Sequence, residues 1–254
     1  MQSNTFSAFF SGQKLITLKC TSSTNDYLKE ELSKSTPLKE GTVIMAVEQT
    51  DGKGQAGNKW LAEPGKNLTF SLLLKPTFLS PIQQFDLNIA ICVSIYEVLF
   101  PLLGSQLKIK WPNDIYFENK KLGGILIENT LQGMEWKDSI IGIGVNVNQE
   151  DFNRVNNACS IKQLLHHEYI ITNLLYELCE SIEKKYIQLK NQGVLSLKSL
   201  YINNLYGLNQ VRKYSLDGVL VEGKIIDVDT EGQLIVDFNG HSARFNFKEI
   251  QFVF

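Results

Sequence analysis

A polar, glycine-rich segment at residues 52–60 is the first candidate for chemistry in this chain. Three of its first six residues are glycines (Gly52, Gly54 and Gly57), which let the backbone wrap closely around a ligand and offer N–H groups to phosphate or carboxylate oxygens. The segment is not a P-loop, because GxxxxGK[ST] is absent. No helical pattern follows its GxGxxG letters, which argues against a Rossmann site. Taken alone, the segment predicts either an anion-binding loop or a flexible turn.

The second candidate is the run Lys110-Trp111-Pro112-Asn113-Asp114, which ends a short predicted strand. It crowds a cation, an aromatic ring, an amide and a carboxylate into five residues. Pro112 disfavours helical geometry at the preceding tryptophan and stiffens the turn. The alternative interpretation is a solvent-facing turn that is capped by its asparagine and aspartate.

Two glycine-containing strands follow. Lys121 leads into a strand that Gly123 and Gly124 weaken, and such glycines often mark close approach of a ligand to the backbone. Residues 142–148 form an apolar strand that ends in asparagines. The alternatives are a bulge beside an exposed lysine and a buried strand whose asparagines close its turn.

These segments, in this order and spacing, resemble the catalytic domain of biotin–protein ligases. The family pattern contains a serine-threonine-asparagine triplet, a GRGRxGR-like loop followed by a tryptophan, KWPND, K-L-x-G-I-L-x-E and G-I-G-x-N-x-N. This chain has the triplet at 23–25, the loop at 52–60, an intact KWPND at 110–114, KLGGILIE at 121–128 and GIGVNVN at 142–148. The resemblance covers nearly the whole chain, and KWPND with KLxGIL at this spacing is highly specific.

The resemblance implies an ATP-dependent, AMP-forming ligase. Such an enzyme activates biotin with MgATP to biotinyl-5′-AMP, releases pyrophosphate, and transfers biotin to one lysine of a biotin carboxyl carrier protein or domain. Lys121 is expected to lie between the biotin carboxylate and the α-phosphate, where it would stabilise charge that develops in the transition state. Asp114 is expected to take the proton of the acceptor lysine. No metal ligand is assigned to the protein, because Mg²⁺ is expected to bind mainly through the ATP phosphates.

The resemblance also assigns binding residues. Those for biotin are Ser23, Thr24, Asn25, Gln49, Gly52, Lys53, Gly54, Lys121, Gly123 and Gly124. Those for the nucleotide are Lys53, Trp60, Lys110, Asn113 and Asn146. The indole of Trp60 is expected to pack on adenine, and the amide of Asn146 to meet the polar edge of that base. The glycine-rich loop is expected to order over the ligand and keep water from the adenylate.

The chain departs from the family pattern at three places. The loop has Lys53, Gln55 and Asn58 where the family has arginines, so planar guanidinium contacts are absent there. The chain ends FNFKEIQFVF, where relatives commonly show a glycine-glutamate pair. Only about twenty residues precede the triplet, too few for the helix-turn-helix that some relatives carry. We therefore expect no DNA binding.

The hydrophobic pattern must supply the elements that position these residues. Strands are predicted at 14–19, 42–47, 68–74, 107–109 and 139–147, a hairpin at 114–127 that turns at Glu118-Asn119, and later strands at 219–228, 234–238 and 243–247. Helices are predicted after Ser23, capped with the help of Asp26, and at 83–100 and 169–189. Pro101 is expected to end the second helix. Asn239-Gly240 and Glu231-Gly232 predict turns between the late strands.

This pattern predicts an α+β fold with a mixed, largely antiparallel sheet flanked by helices, rather than regular βαβ alternation. Together with the resemblance, it places a catalytic domain of the biotin/lipoate ligase type at residues 1–205. Residues 206–254 are expected to form a small SH3-like β-barrel domain.

The composition excludes several classes of protein. The chain has 254 residues, with 25 basic and 27 acidic residues and a formal net charge of −2, so no strong field selects nucleic acid or an anionic membrane. The apolar segment at 82–103 is interrupted by polar residues, which favours a buried core helix over a membrane span. The four cysteines of the chain lie outside CxxC spacing, and no signal peptide is evident. Both observations favour isolated thiols in the cytoplasm.

Two rival functions stay open. A lipoate–protein ligase or octanoyltransferase shares the catalytic architecture, although KWPND, Gln49 and the barrel-like tail argue against it. A biotin-binding module without catalysis would fit the missing loop arginines, although the presence of Lys121 and Asp114 argues against it. The sequence leaves open whether the protein is a monomer or a homodimer, and which carboxylase is the acceptor.

Overall fold

A sheet of eight strands forms the larger part of the fold. The structure is a computed structural model that describes residues 2–5, 14–34, 38–133, 135–153, 155 and 157–254. The strands are β1 (Gln2–Thr5), β2 (Lys14–Thr21), β3 (Val43–Gln49), β4 (Leu68–Leu74), β5 (Leu107–Lys110), β6 (Asp114–Phe117), β7 (Lys120–Gln132) and β8 (Glu135–Val145). Their spatial order is β1-β2-β3-β4-β8-β7-β6-β5. Strands β2 and β3 pair in parallel and the other described neighbours pair antiparallel, which confirms the predicted mixed sheet.

Helices cover both faces of this sheet. They are α1 (Thr24–Leu32), α2 (Gln84–Leu103), α3 (Ile161–Leu165), α4 (Ile171–Gln192) and α5 (Leu195–Asn203). Strand β4 shows the result, because all seven of its residues are buried. Its Leu72 and Leu74 pack into the core with α2 and α4, whereas Leu73 packs into a smaller cluster with Leu28 of α1. The period of two along the strand divides its residues between the two faces.

Helix α2 is the central core helix, as predicted. The segment Pro81–Gln106 has the length and the mean hydropathy, 1.8, of a membrane span, but more than half of that window is buried inside the fold. The helix packs against α4 and α5. The expectation that Pro101 ends the helix is wrong, because α2 runs to Leu103. In the last turn, a proline removes only one backbone hydrogen bond, and the buried residues before it hold the helix in place.

The last part of the chain forms a separate antiparallel sheet. Its strands are β9 (Val211–Leu216), β10 (Val219–Val228), β11 (Leu234–Phe238), β12 (His241–Phe245) and β13 (Gln251–Phe252), in the order β12-β11-β10-β9-β13. Asn239 and Gly240 have φ of 55° and 91°, so both central residues of that turn have positive φ, as a type I′ turn requires. This five-stranded sheet is consistent with the predicted small barrel-like domain.

Candidate functional site

A pocket lies where the N-terminus of α1 meets β4, β7 and β8, beneath the glycine-rich loop at residues 52–60. Its lining residues come from all of these elements, from the end of β3, from the KWPND run, and from one residue between β12 and β13. They are Ser23, Thr24, Asn25, Gln49, Lys53, Gly54, Gln55, Asn58, Lys59, Trp60, Thr69, Phe70, Asn113, Asp114, Lys121, Gly124, Ile125, Leu126, Gly142, Ile143, Gly144 and Phe247. Residues more than 200 positions apart in the sequence therefore share one pocket.

The start of α1 forms a polar wall of the pocket. The hydroxyl of Ser23 accepts a hydrogen bond from the N–H of Asp26 and so caps the helix, as its sequence position predicted. The N–H and the hydroxyl of Thr24 both donate to Oε1 of Gln49, at 2.8 and 3.0 Å. Because Oε1 is engaged twice, the amide Nε2 is the group of Gln49 that remains for a ligand.

Ser71 joins this wall from β4, and the sequence analysis did not identify it. Its Oγ lies 2.5 Å from Oδ1 of Asn25 and 2.7 Å from Oγ1 of Thr24. A hydroxyl has one proton, and the amide oxygen of Asn25 can only accept, so Ser71 donates to Asn25. Nδ2 of Asn25 in turn donates to Glu128 at 2.7 Å. A polar residue inside the fully buried strand β4 was the available signal, since buried polar groups need a local partner.

Lys121 and Asp114 form an ion pair in the pocket. Nζ of Lys121 lies 2.7 Å from Oδ1 of Asp114, and the two side chains are 31% and 20% exposed. The register of β6 and β7 places Asp114 opposite Gly124, with an irregularity that follows between Ile115 and Tyr116. A Cβ at Gly124 would lie 3.1 Å from both charged atoms, so the glycine leaves room for the pair against the backbone. The two residues that were predicted to be catalytic are thus in direct contact.

The remainder of the KWPND run holds Asp114 in place. Nδ2 of Asn113 donates to the carbonyl of Ile125 on β7 at 2.5 Å. The carbonyl of Pro112 accepts hydrogen bonds from the hydroxyl of Tyr201 and from a further amide, that of Asn88. The indole of Trp111 is buried, and its Nε1 donates to the carbonyl of Gly232, in the turn between β10 and β11, at 2.9 Å. Within the run, Asn113 and Asp114 line the pocket and the other three side chains do not.

The glycine-rich loop folds back on itself over the pocket. The N–H of Gly54 donates to the carbonyl of Asn58 at 2.7 Å, and the N–H of Trp60 to the carbonyl of Gly52 at 2.8 Å. A Cβ at Gly52 would lie 2.4 Å from the carbonyl oxygen of Trp60, so this crossing requires glycine. Lys53 contacts Asp26 of α1 at 2.7 Å, and this hydrogen-bonded contact raises the pKa of the lysine.

Two buried polar atoms of the loop lack a partner among the described residues. They are Nε1 of Trp60, a donor, and Oε1 of Gln55, an acceptor, and both residues line the pocket. The ring of Trp60 lies on β8, since a Cβ at Gly144 would be 2.4 Å from Cε2 of the indole. A ligand that supplies one acceptor and one donor would satisfy both orphaned atoms. The sequence analysis did not assign Gln55 to binding.

Four of the predicted site residues do not line the pocket. Gly52 and Gly123 act through the backbone, and a Cβ at Gly123 would lie 2.9 Å from the carbonyl oxygen of Gly144. Asn146 is buried, and its Nδ2 donates to the carbonyl of Cys159 at 3.0 Å and, at 3.4 Å, to that of Lys121. Its amide therefore holds the strand that carries the pocket lysine.

Lys110 is the fourth of these residues. Its Nζ lies 4.6 Å from the ring centroid of Phe252 and 5.3 Å from that of Tyr116. Burial lowers the pKa of this lysine, and the nearby charge of Lys121 acts in the same direction, against that of Asp114. At the edge of the C-terminal sheet, Lys110 thus makes cation–π contacts with aromatic rings. Its assignment to the nucleotide stays a prediction.

The comparisons with known proteins agree on one family. A sequence profile of the biotin/lipoate A/B protein ligase family matches residues 17–146. The bifunctional ligase/repressor BirA of Bacillus subtilis is 31% identical over 234 residues, which are 90% of this chain and 70% of that protein.

Two solved structures extend the agreement to the fold. The biotin protein ligase of Aquifex aeolicus, in complex with biotin and ATP, has a TM-score of 0.77 and 26% identity and covers 93% of this chain and 97% of its own. The biotin acetyl coenzyme A carboxylase synthetase of Helicobacter pylori, with bound biotinylated ATP, has a TM-score of 0.62 and 27% identity, with coverage of 92% and 99%. The chain therefore belongs to the biotin/lipoate A/B protein ligase family, and its relatives within that family are biotin–protein ligases.

Proposed function

We propose that this protein is an ATP-dependent biotin–protein ligase with its active site in the pocket described above. In the first step, the biotin carboxylate attacks the α-phosphorus of ATP, the bond to the β-phosphate bridging oxygen breaks, and biotinyl-5′-AMP and pyrophosphate form. In the second step, a lysine amine of a carrier protein attacks the acyl carbon of this mixed anhydride. The amide forms, the amine loses its proton, and AMP leaves.

The single observation that carries the proposal is the ion pair of Lys121 and Asp114 against Gly124. Two anions must approach one another in the first step, and a cation between them offsets their repulsion most effectively where water is partly excluded. The side chain of Lys121 is 31% exposed, and its ammonium is held in the pocket by the carboxylate of Asp114. It is therefore suited to stabilise negative charge on the α-phosphate and the biotin carboxylate.

Asp114 is suited to the second step. A lysine with a pKa of about 10.4 is mostly protonated at neutral pH, so exposing its free amine costs about 4–5 kcal/mol. A carboxylate within reach of the incoming amine can accept that proton. Oδ1 of Asp114 contacts Lys121 in the ion pair, and a carboxylate has two oxygens that can accept a proton from the incoming amine.

The polar wall at the start of α1 is suited to the ureido ring of biotin. Ser23, Thr24 and Gln49 converge there, and the network from Ser71 through Asn25 fixes their surroundings. A ureido group carries two N–H donors and one carbonyl acceptor. Matching such groups in a buried wall gives specificity, because an analogue that lacks them leaves polar groups unpaired.

The loop side of the pocket is suited to the nucleotide. Lys53 and Asn113 offer a cation and an amide there, and the orphaned Nε1 of Trp60 offers a donor. Mg²⁺ would enter with the ATP phosphates and neutralise part of their charge. We propose that Mg²⁺ binds mainly through these phosphates and assign it no protein ligand.

The acceptor and the setting complete the proposal. We infer that the acceptor is a lysine of a biotin carboxyl carrier protein or domain of a biotin-dependent carboxylase, and that the protein acts in the cytoplasm. The described cysteines are all free, which agrees with a reducing compartment. We propose no nucleic-acid or membrane partner, and sedimentation of the purified protein would distinguish a monomer from a homodimer.

A mass measurement tests the function. The protein is incubated with MgATP, biotin and a recombinant biotin carrier domain, and the intact carrier is weighed. We expect the gain of one biotinyl group on one lysine, together with biotin-dependent release of pyrophosphate. A parallel reaction with lipoate in place of biotin tests the rival within the same family. Modification of the carrier by lipoate alone, or no pyrophosphate with either acid, would refute the proposal.

Lys121→Met tests the carrying observation, with Lys120→Met as its matched control. Lys120 is the adjacent residue, is exposed, and loses the same charge. Removing one preorganised group that stabilises the transition state costs about 100- to 1,000-fold in kcat, so Lys121→Met should lose at least that factor in biotin-dependent pyrophosphate release. Lys120→Met should stay within about twofold of the wild type, since surface changes are usually small.

A further inference from the structure

The segment between β12 and β13 reaches the glycine-rich loop through one charged side chain. Nζ of Lys248 donates a hydrogen bond to the carbonyl oxygen of Ala56 at 2.8 Å, across 192 residues of sequence. The preceding residue, Phe247, lines the pocket itself. Thus two consecutive residues of the C-terminal segment touch the site, one at its wall and one on the loop that covers it.

Both ends of this hydrogen bond have unusual backbone geometry. Ala56 has φ 54° and ψ 41°, and Lys248 has φ 75°. The left-handed region is unfavourable for a residue with a Cβ, and such residues keep that geometry only where their surroundings hold them. Ala56 is itself exposed at the tip of the loop, so the contact from Lys248 is suited to hold it there.

Lys248 stands on a rigid base. The indole of Trp111 donates to the carbonyl of Gly232, and its ring lies 6.3 Å from that of Phe247. The C-terminal segment is therefore fixed relative to the KWPND run and to Asp114 at its end. Lys248 can therefore hold the tip of the loop in a defined position over the pocket.

The loop is then fixed at two points. Lys53, near its start, contacts Asp26 of α1, and Ala56, at its tip, contacts Lys248. The first contact joins the start of the loop to α1, which forms the polar wall. The second contact joins the tip of the loop to the segment between β12 and β13. Trp60 and Gln55, with their orphaned polar atoms, lie within or just beyond this clamped segment.

We propose that Lys248 is a positioning residue that holds the glycine-rich loop closed over the pocket and so slows the escape of the adenylate before the acceptor arrives. The inference rests on the proposed function and adds a residue to it. The net loss of one hydrogen bond of this kind corresponds to about a three- to tenfold change in rate. We therefore expect Lys248→Met to speed the escape of the adenylate about three- to tenfold.

The test follows the loss of the intermediate from the enzyme. The full chain is loaded with radiolabelled biotin and MgATP in the presence of pyrophosphatase, separated from free ligand, and sampled over time without acceptor. Lys248→Met should lose bound label about three- to tenfold faster than the wild type, and Lys248→Arg, which keeps a cationic donor, should restore retention. Lys213→Met, an exposed lysine on β9 of the same domain, is the control and should behave as the wild type.

A second substitution separates positioning from general destabilisation. Ala56→Gly removes the cost of the left-handed backbone, because glycine adopts it readily. In a Lys248→Met background, Ala56→Gly should recover at least part of the lost retention, whereas a merely structural defect in the C-terminal sheet would not respond to it. Equal escape rates for Lys248→Met and the wild type, or no recovery by either Lys248→Arg or Ala56→Gly, would overturn the inference.

The two proposals fail in different ways in this experiment. If the wild type forms no biotin-dependent adenylate, the proposed function fails. If the wild type forms and retains it and Lys248→Met retains it equally well, the function stands and the role of Lys248 is refuted.

Discussion

Gly144→Ala should separate the stability of the fold from the activity of the site. Gly144 is the second-last residue of β8, where it pairs with Thr69 on β4 and with Gly124 on β7. A Cβ there would lie 2.4, 2.6 and 2.9 Å from three atoms of the Trp60 indole. Carbon atoms make favourable contacts at about 3.5–4.0 Å, so the ring must move by about 1 Å or more. The ring belongs to a loop, and the strand does not have to move with it.

The two effects have opposite signs. A glycine in a strand interior is destabilising by about 0.5–1 kcal/mol relative to alanine, so Gly144→Ala should leave the free energy of unfolding unchanged or raise it. For a chain of this length, that corresponds to a rise in Tm of at most about 4 °C. A displacement of about 1 Å at a site can lower the rate about 100-fold. We therefore expect a loss of 10- to 100-fold in kcat/KM for ATP in a protein that is at least as stable.

Biotin-dependent pyrophosphate release and thermal unfolding measure the two quantities on the same preparations. A double-mutant cycle with Trp60→Leu identifies the cause, because Gly144→Ala should cost little once the ring is gone. If Gly144→Ala keeps kcat/KM for ATP within twofold of the wild type, the indole does not lie on β8 during the reaction, and the geometry of the closed loop is wrong.

Three further outcomes follow from the same geometry. Asp114→Asn should slow single-turnover transfer from preformed adenylate to the carrier domain, and full rates in both half-reactions would exclude the proposed proton acceptor. Ser71→Ala should leave the buried amide oxygen of Asn25 unpaired, at about 1–3 kcal/mol, and should raise the Kd for biotin in calorimetry. Burial lowers the pKa of Lys110 in the native state. At neutral pH the native state therefore bears the full free-energy cost of burying a protonated amine. This cost decreases as the pH rises through the native pKa towards the unfolded pKa, because the amine then loses its proton. The stability of the wild type relative to Lys110→Met in denaturant titrations should therefore increase between pH 7 and pH 10.

Much of the fold could be predicted because its signals are local. Leu68–Leu74 was predicted with the bounds that the structure has, since seven apolar or small residues lie between turn residues. The capping of α1 by Ser23 and the hairpin turn at Asn239-Gly240 follow from single residue types with defined geometry. The strand after that turn was placed two residues late, although a two-residue turn requires it to begin at once, at His241.

The elements that escaped prediction have weak local signals. Strand β9, Val211–Leu216, alternates poorly, and its first residue is exposed. Helix α5, Leu195–Asn203, buries few of its residues, Leu197 and Tyr201 among them, so it shows little periodicity. These elements form because the neighbouring parts of the chain complete them: β9 lies between β10 and β13, and α5 packs on α2. Tertiary contacts of this kind override weak local preference.

The site was predicted unevenly for the same reason. Lys121 and Asp114 were named from motifs and are in contact, as are Thr24 and Gln49. Other residues that line the pocket could not be found in the sequence, because they lie far along the chain and carry no motif of their own. Phe247, between β12 and β13, is the clearest case, since nothing in its own segment indicates a pocket.

The glycines show why register defines this site. In the sequence, Gly124 indicated a weakened strand that a ligand approaches closely, and Gly144 was part of an apolar strand. The pairing of β7 with β8 places the two glycines directly opposite one another. Because neither residue has a side chain, the two glycines form one patch of backbone. Lys121 packs on Gly124, and the Trp60 ring packs on Gly144. A shift of one residue would put Ile143 beside Gly124 and place an isoleucine where the ring lies. The charged pair and the glycine-rich loop can therefore share one pocket only in this register.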